Sequence, residues 1–352
     1  MRRLPIYFLI DVSESMVGEP IEQVQDGMAA IVKELRTDPY SLETVYISII
    51  AFAGKAKKLS PLTELYNFYP PKIPVGGGTS LGNALSFLMN DLDTAIQKTT
   101  LEEKGDWKPI IFLFTDGNPT DEYEKSFERW NQKYRKNVNL IAVSIGDNAD
   151  LSILAKISNN ILQLKVPDAE SFKQFFKWIT ASIKTNSVSV SETNSDTLQL
   201  APIRGEGLAK IDLEKIKPAK IDDNFAVILA RCQTTDRYYL IKYQKLLRDY
   251  PEFAEFIPNA KVITYRLIGA FPVEKSYFEL SEGRQAIGQI NTEILHGFPT
   301  CPCCGNQYGF STCMCGGIHC SNEESTQTCP WCGQTAEYSL GISNMDVART
   351  RG

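Results

Sequence analysis

Histidine and cysteine are both missing from the first 231 residues of this 352-residue chain. A soft metal centre of thiolates and imidazoles, the kind that selects zinc or copper, is therefore excluded from that stretch. Between Arg284 and Arg349 there is no lysine or arginine. Phosphate contacts rest on cationic side chains, so nucleic acid is excluded as a partner of that segment. The formal net charge of -5 gives the whole chain no general attraction to nucleic acid or to an anionic membrane. Long apolar runs are also lacking, which excludes a bilayer-spanning helix. The opening Met-Arg-Arg and the apolar residues after it close on Asp11 and not on a small-residue cleavage site, so they read as a strand and not as a signal peptide. With no export signal and clustered thiols, the chain is expected to be cytoplasmic.

What is present is organised around Pro5 to Ser15 (P-I-Y-F-L-I-D-V-S-E-S). An unbroken apolar run ending on Asp11 reads as a buried parallel strand, and Ser13 and Ser15 follow at alternate positions in the loop beyond it. One carboxylate and two hydroxyls are hard donors that would fill half an octahedral shell around a small divalent cation. The plainer reading of Asp and Ser after a strand is turn chemistry and helix capping. Which reading holds depends on whether later residues supply the missing ligands.

Strands and helices then alternate. Pro20 opens a helix with Ile21, Val24, Met28, Ile31, Val32 and Leu35 on one face. Thr44 to Ala53 is a β-rich strand, and a Pro-rich loop leads to Gly76-Gly77-Gly78-Thr79-Ser80 before a helix carrying Leu81, Leu85, Leu88 and Leu92. The glycine run lacks the Gly-Lys-Ser/Thr ending of a phosphate-binding loop; its glycines instead allow a close backbone approach that brings the Thr79 hydroxyl to a metal. Pro109 to Phe114 is another buried strand and ends on Thr115-Asp116-Gly117. Further strands are predicted at Asn139 to Gly146 and Ile161 to Val166. Helices are predicted around Tyr123 to Tyr134, Leu151 to Ile157 and Phe172 to Ile183, their aromatic stripes being core packing. This order predicts an α/β domain, a doubly wound parallel sheet with helices on both faces, with ligands outside the carboxyl ends of strands, where Asp11 and Asp116 both lie.

D-V-S-E-S at Asp11, G-G-T at Thr79 and F-T-D-G at Asp116 together resemble the metal-ion-dependent adhesion site of von Willebrand factor type A domains, over roughly residues 1 to 185. The resemblance implies a Rossmann-like fold, with Ser13, Ser15 and Thr79 as hydroxyl ligands and Asp11 and Asp116 close to the ion. It also implies Mg²⁺ or Mn²⁺ as the metal, with one position open to a carboxylate from a protein partner.

Thr185 to Thr197 is rich in Ser, Thr and Asn and reads as a linker, placed at 186–204, although S-V-S-V-S alternates like an edge strand. A smaller β-rich domain with zinc knuckles is expected beyond it: a β-rich segment over 205–295 and a zinc-binding module over 296–352. Two runs between Asn224 and Tyr243 read as a hairpin, Leu246 to Phe256 as a short helix, and V-I-T-Y-R-L-I-G-A-F and Y-F-E-L as strands. Cys232 lies in the hairpin and reads as an inert small hydrophobe.

The other eight cysteines fall between Cys301 and Cys332, as C-P-C-C-G, C-M-C-G-G-I-H-C and C-P-W-C-G. Two Cys-Pro-x-Cys-Gly units are zinc knuckles, with Gly supplying the positive φ of the turn. Cys303 corresponds to Trp331 of the second knuckle and is expected to face outward. His296 has no partners in sequence and reads as structural. One tetrahedral ion would strand three thiols, so two zincs are expected, and they need eight ligands. His319, which by itself could be no more than a polar neighbour, completes the count: Cys301, Cys304, Cys313, Cys315, His319, Cys320, Cys329 and Cys332.

The order of an adhesion-type domain, a β-rich segment and a cysteine module resembles the bacterial tellurite-resistance TerY family with its C-terminal metal-binding domain. The resemblance implies a role in stress or phage defence beside a protein kinase and a PP2C-type phosphatase. The expected function is a non-catalytic cytoplasmic adaptor that binds a protein partner offering Asp or Glu to the N-terminal metal. The alternative is a metal-dependent phosphohydrolase with Asp11 as nucleophile, which lacks its acid/base because the second position after Asp11 is Ser13.

Overall fold

The computed structural model describes residues 2–115, 119–145, 150–164, 168–192, 198–203, 208–212, 224–249, 261–281, 288–322, 324–338 and 344–350. The chain divides into two compact units, Met1–Ile221 and Asp222–Gly352.

In the first unit, β1 (Leu4–Asp11) is buried along its whole length because a neighbour lies on each edge and helices cover each face. It pairs in parallel with β2 (Val45–Phe52) on one side and with β4 (Ile110–Thr115) on the other. β5 (Asn139–Ile145) and β6 (Asn160–Leu164) continue the parallel sheet. Two antiparallel strands that the sequence did not announce close the edges: β3 (Ala56–Glu64) on β2 and β7 (Leu208–Lys210) on β6. The order is thus β3-β2-β1-β4-β5-β6-β7, and the switch in winding direction falls at β1, flanked by β2 and β4.

Alternation along β1 sends Tyr7 and Leu9 into a core with Leu81, Leu85 and Leu88 of α3 (Leu81–Ala95). Phe127 of α4 (Glu124–Arg129) and Trp130 of the π-helical turn after it join the same core. Phe8 points to the other face, stacking on Phe112 and Phe114, which in turn meet Phe175, Phe176 and Trp178 of α6 (Ala169–Glu192). α1 (Glu19–Leu35) packs on α6 at Gly27, where a Cβ would lie 2.0 Å from the Phe176 ring. The two short helices are α2 (Pro39–Thr44) and α5 (Leu151–Ala155).

The expected linker is corrected here. α6 runs on to Glu192, so the Ser- and Asn-rich stretch begins as helix and not as linker or edge strand. Its polar side chains find partners: Asn186 Nδ2 donates to Ser182 O and Gln199 O, and the buried Ser187 hydroxyl meets Ser41. The first unit extends to Ile221, well past the expected boundary at 185.

The second unit is built on the antiparallel hairpin of β8 (Phe225–Arg231) and β9 (Tyr238–Asp249), as expected. β9 continues through Leu246 to Asp249, where a helix was anticipated; residues 250–260 lie outside those described. β10 (Lys261–Pro272) pairs with β9, and Y-F-E-L belongs to a helix, α7 (Ser276–Leu280), in place of a strand. β11 (Gly288–Asn291), β12 (Leu295–His296), β13 (Tyr308–Thr312) and β14 (Ile318–Ser321) follow. β15 (Thr326–Thr328) pairs with β16 (Thr335–Glu337), and β17 (Asp346–Arg349) pairs with β11. The main sheet is ordered β12-β10-β9-β8-β14-β13, with β14 parallel to β8. β14, which carries Cys320, and the hairpin therefore share one sheet, so 222–295 and 296–352 form one unit, whereas β7, expected in the second domain, belongs to the first.

Candidate metal centres

The N-terminal site starts where β1 ends. Asp11 is fully buried, and both of its carboxylate oxygens are engaged: Oδ1 accepts the Ser13 N–H at 3.0 Å and Oδ2 the Thr115 hydroxyl at 2.7 Å. The first bond turns the chain so that Ser13 and Ser15 come together, with hydroxyl oxygens 3.0 Å apart. That separation matches the edge, about 3.0 Å, of an octahedron of oxygens about 2.1 Å from a central ion.

Thr79 is carried to the same end of the sheet by the glycine run. Gly76 N–H donates to Val12 O, Gly54 N–H to Gly77 O, and Ser80 N–H to Ala53 O, at 2.8, 2.8 and 2.7 Å. Gly78 has φ +88°, which a side chain would resist, and its N–H donates to Glu14 Oε2 at 3.2 Å. Glu14 is 1% exposed and ties the first ligand loop to the second. Sequence reading passed over it, although it stands inside the D-V-S-E-S motif. Thr79 also exchanges two bonds with Thr120, in the loop after β4. Asp116 lies outside the described residues.

In the second unit the cysteines form two sets of four, Cys232/Cys301/Cys304/Cys320 and Cys313/Cys315/Cys329/Cys332, with all sulfurs of a set within 4.8 Å of one another. No disulfide joins them. Two sulfur pairs in each set are 3.8 Å apart. A tetrahedron of thiolates about 2.3 Å from an ion has edges of about 3.8 Å, so both sets have the spacing of a closed metal site. Each knuckle turn is held by a glycine at positive φ whose N–H bonds back to the first cysteine: Gly305 to Cys301, Gly333 to Cys329 and Gly316 to Cys313. Further N–H groups point at sulfur, from Gln233 to Cys320, Thr235 to Cys232 and Trp331 to Cys329, at 3.3 to 3.4 Å.

Proton affinities within the first set diverge. Burial opposes the Cys232 thiolate, but hydrogen bonds led by Thr235 outweigh it and bring the thiol down to about 7. Burial pushes Cys301 up to about 12, and burial followed by the charge of Cys301 and Cys232 pushes Cys320 up as well. Burial thus opposes the thiolate form at Cys301 and Cys320, and a bound cation would offset that cost.

Two expectations are corrected by this arrangement. Cys232, read as an inert hydrophobe, completes the first set, carried there by the β8–β9 turn. His319, read as the eighth ligand, is fully buried with both nitrogens committed elsewhere. Its Nδ1–H donates to Cys320 O at 2.8 Å, since a carbonyl can only accept, and Nε2 accepts the Tyr338 hydroxyl at 2.8 Å. Burial holds the imidazole below its ordinary pKa, in the neutral form that this pattern requires. Cys303 stands outside both sets, as expected, but half-buried near Tyr238 O.

The fold and the Asp11 loop define a von Willebrand factor type A domain, and the family model for that domain matches residues 6–178. A second model, for the TerY-C metal binding domain, matches residues 222–352 and begins where the second compact unit begins. The chain belongs to the TerY family, von Willebrand factor A proteins with a C-terminal metal-binding domain. Similar curated proteins include inter-alpha-trypsin inhibitor heavy chain H2 of Sus scrofa, 30% identical over 44% of this chain and 17% of that protein. A von Willebrand factor A domain-containing protein of Dictyostelium discoideum is 25% identical over 50% of this chain and 20% of its own length. The chain thus spans a fifth or less of these relatives. Among solved structures, the pilus adhesin SpaC from Lactobacillus rhamnosus GG is similar at a TM-score of 0.43 and 13% identity, over 53% of this chain and 30% of that one. No helix among the described residues is long and apolar enough to cross a membrane.

Proposed function

We propose that the chain is a non-catalytic adaptor of a bacterial stress-response system, of the tellurite-resistance or phage-defence kind, that works in the cytoplasm. Its N-terminal site holds Mg²⁺ or Mn²⁺ through Asp11, Ser13, Ser15, Thr79 and Asp116. The ion supplies a Lewis-acidic position at which a carboxylate from a partner protein docks, a protein kinase or PP2C-type phosphatase being the expected class. The observation that carries this reading is the 3.0 Å pairing of the Ser13 and Ser15 hydroxyls at the buried end of β1. Hard oxygen donors at that spacing suit a small hard cation. The C-terminal unit holds two zinc ions, one in each set of four cysteines, as closed structural sites.

A phosphohydrolase reading has less support. Asp11 would have to attack phosphorus, yet its two oxygens are tied to Ser13 N–H and Thr115 Oγ1, and Ser13 stands where a carboxylic acid would be needed. Immobilised full-length protein is expected to capture its partner from lysate in Mg²⁺ and to lose it on Thr79→Ala, with zinc content unchanged. Capture of the same proteins by Thr79→Ala moves the binding face elsewhere. Phosphate-ester turnover that disappears in Asp11→Ala would replace the adaptor reading by the enzymatic one.

A further inference from the structure

The two cysteine sets differ in what covers them. Cys232, Cys301 and Cys320 are buried members of the apolar core of their unit, beside Ile228, Tyr239 and Ile241, and Cys304 packs half-buried against it. In the second set Cys313 and Cys329 are buried while Cys315 and Cys332 are exposed, and none of the four belongs to that core. Two sulfur pairs in the second set each join an exposed cysteine to a buried one: Cys332 to Cys313, and Cys315 to Cys329, both at 3.8 Å. Cys315 and Cys332 are thus the cysteines of the two sets most open to a reagent from solvent, and each has a buried partner in reach.

We propose that the second set is an oxidation site for hydroperoxides, at which Cys315 and Cys332 are attacked, disulfides close onto Cys329 and Cys313, and the ion is released. This rests on the reading of both sets as zinc sites. The exposed thiolate attacks one peroxide oxygen, which breaks the O–O bond, leaves the sulfur as sulfenic acid and expels hydroxide. The paired thiolate then attacks the sulfenic sulfur, forming the S–S bond and expelling a second hydroxide. For the whole set, four thiolates give up four electrons to two hydrogen peroxide molecules, yielding two disulfides, four hydroxides and Zn²⁺. The ion leaves because a disulfide sulfur is no longer a thiolate donor.

The consequence reaches beyond the set itself. Trp331 sits in the Cys329–Cys332 knuckle, with its indole N–H on Ile318 O at 2.6 Å and its ring edge-on to Tyr238. Pro330 O accepts from Arg231 at 2.6 Å. Opening the knuckle therefore removes contacts to β14, β9 and β8 together, whereas the first set stays within the core.

The test uses full-length zinc-loaded protein whose metal content is measured before treatment. Hydrogen peroxide is then titrated in, with zinc release followed by a chromophoric chelator, disulfides mapped by mass spectrometry, and Trp331 emission isolated by comparison with Trp331→Phe. One zinc per chain is expected to leave at least about tenfold faster than the other, given the difference in thiolate access. Disulfides should join Cys313 to Cys332 and Cys315 to Cys329 while Cys232, Cys301, Cys304 and Cys320 stay reduced, and a thiol reductant plus zinc should restore both metal and emission. Release of both ions at one rate, or first disulfides inside the Cys232 set, overturns the proposal. Fewer than two zincs in untreated protein overturns the zinc reading on which it rests.

Discussion

Replacing Cys232 by Ala tests the arrangement of the second unit most directly. The thiol is fully buried, its sulfur lies 3.8 Å from that of Cys320, and it receives the Thr235 N–H. A structural zinc contributes about 10 to 16 kcal/mol of binding free energy at neutral pH, so one of four equivalent thiolates carries roughly 3 to 4 kcal/mol. Its loss should weaken one zinc by a factor of about 10² to 10³ and leave the other untouched. Competitive titration against a chelator of known affinity, with zinc per chain counted by elemental analysis, measures both quantities. His319→Ala is the matched control. It removes two hydrogen bonds, at about 1 kcal/mol each, but no ligand, so two zincs should remain. If Cys232→Ala binds both zincs as tightly as the parent, or if His319→Ala loses one, the ligand assignment is wrong.

Glu14→Ala removes the carboxylate that accepts the Gly78 N–H and should weaken Mg²⁺ or Mn²⁺ binding by a factor of about 10 to 10², since a hydrogen bond to a charged group is worth about 1.5 to 3 kcal/mol. Isothermal titration reads this, and an unchanged affinity means that the glycine loop holds Thr79 without help. Gly27→Ala drives a methyl into the Phe176 ring and should cost about 1 to 3 kcal/mol by overpacking, visible as a lower Tm; an unaltered Tm would show that α1 and α6 are not so close. His319 should titrate below its ordinary 6.5 because burial disfavours its charged form. The unfolded chain takes up that proton at higher pH than the folded one, so the contribution to stability is complete above about 6.5 and is lost as pH falls through the folded pKa. An imidazole pKa at or above 6.5 by NMR contradicts this.

The parallel strands were legible because burial on both faces leaves a continuous apolar run, as in F-L-I before Asp11 and I-I-F-L-F before Thr115. β3 was not, because an edge strand is half-solvated: A-K-K-L-S-P-L-T-E carries two lysines and a proline and reads as loop. The last turns of α6 were misread because their Ser, Thr and Asn side chains favour turns in isolation. Here tertiary partners such as Ser41 and Gln199 decide the matter. The hard-ligand loop was readable because Asp11, Ser13 and Ser15 are adjacent in sequence, and so were the knuckles, with their local Cys-x-x-Cys spacing. Cys232 has no such neighbourhood. Its role is created by sheet order, by β14 lying beside β8, and nothing near it in sequence signals that pairing.

The first cysteine set also imposes a timetable on synthesis. Cys232 and Cys320 are separated by 88 residues, whereas Cys313 and Cys332 are separated by 19. At about 5 to 20 residues per second, Cys232 emerges from the ribosome roughly 4 to 18 s before its last partner. During that interval it is an unliganded thiol on a nascent hairpin, open to whatever metal or oxidant it meets. Correct loading of this set is thus a race between translation and thiol chemistry, and slowed elongation between codons 232 and 320 would lengthen the exposure.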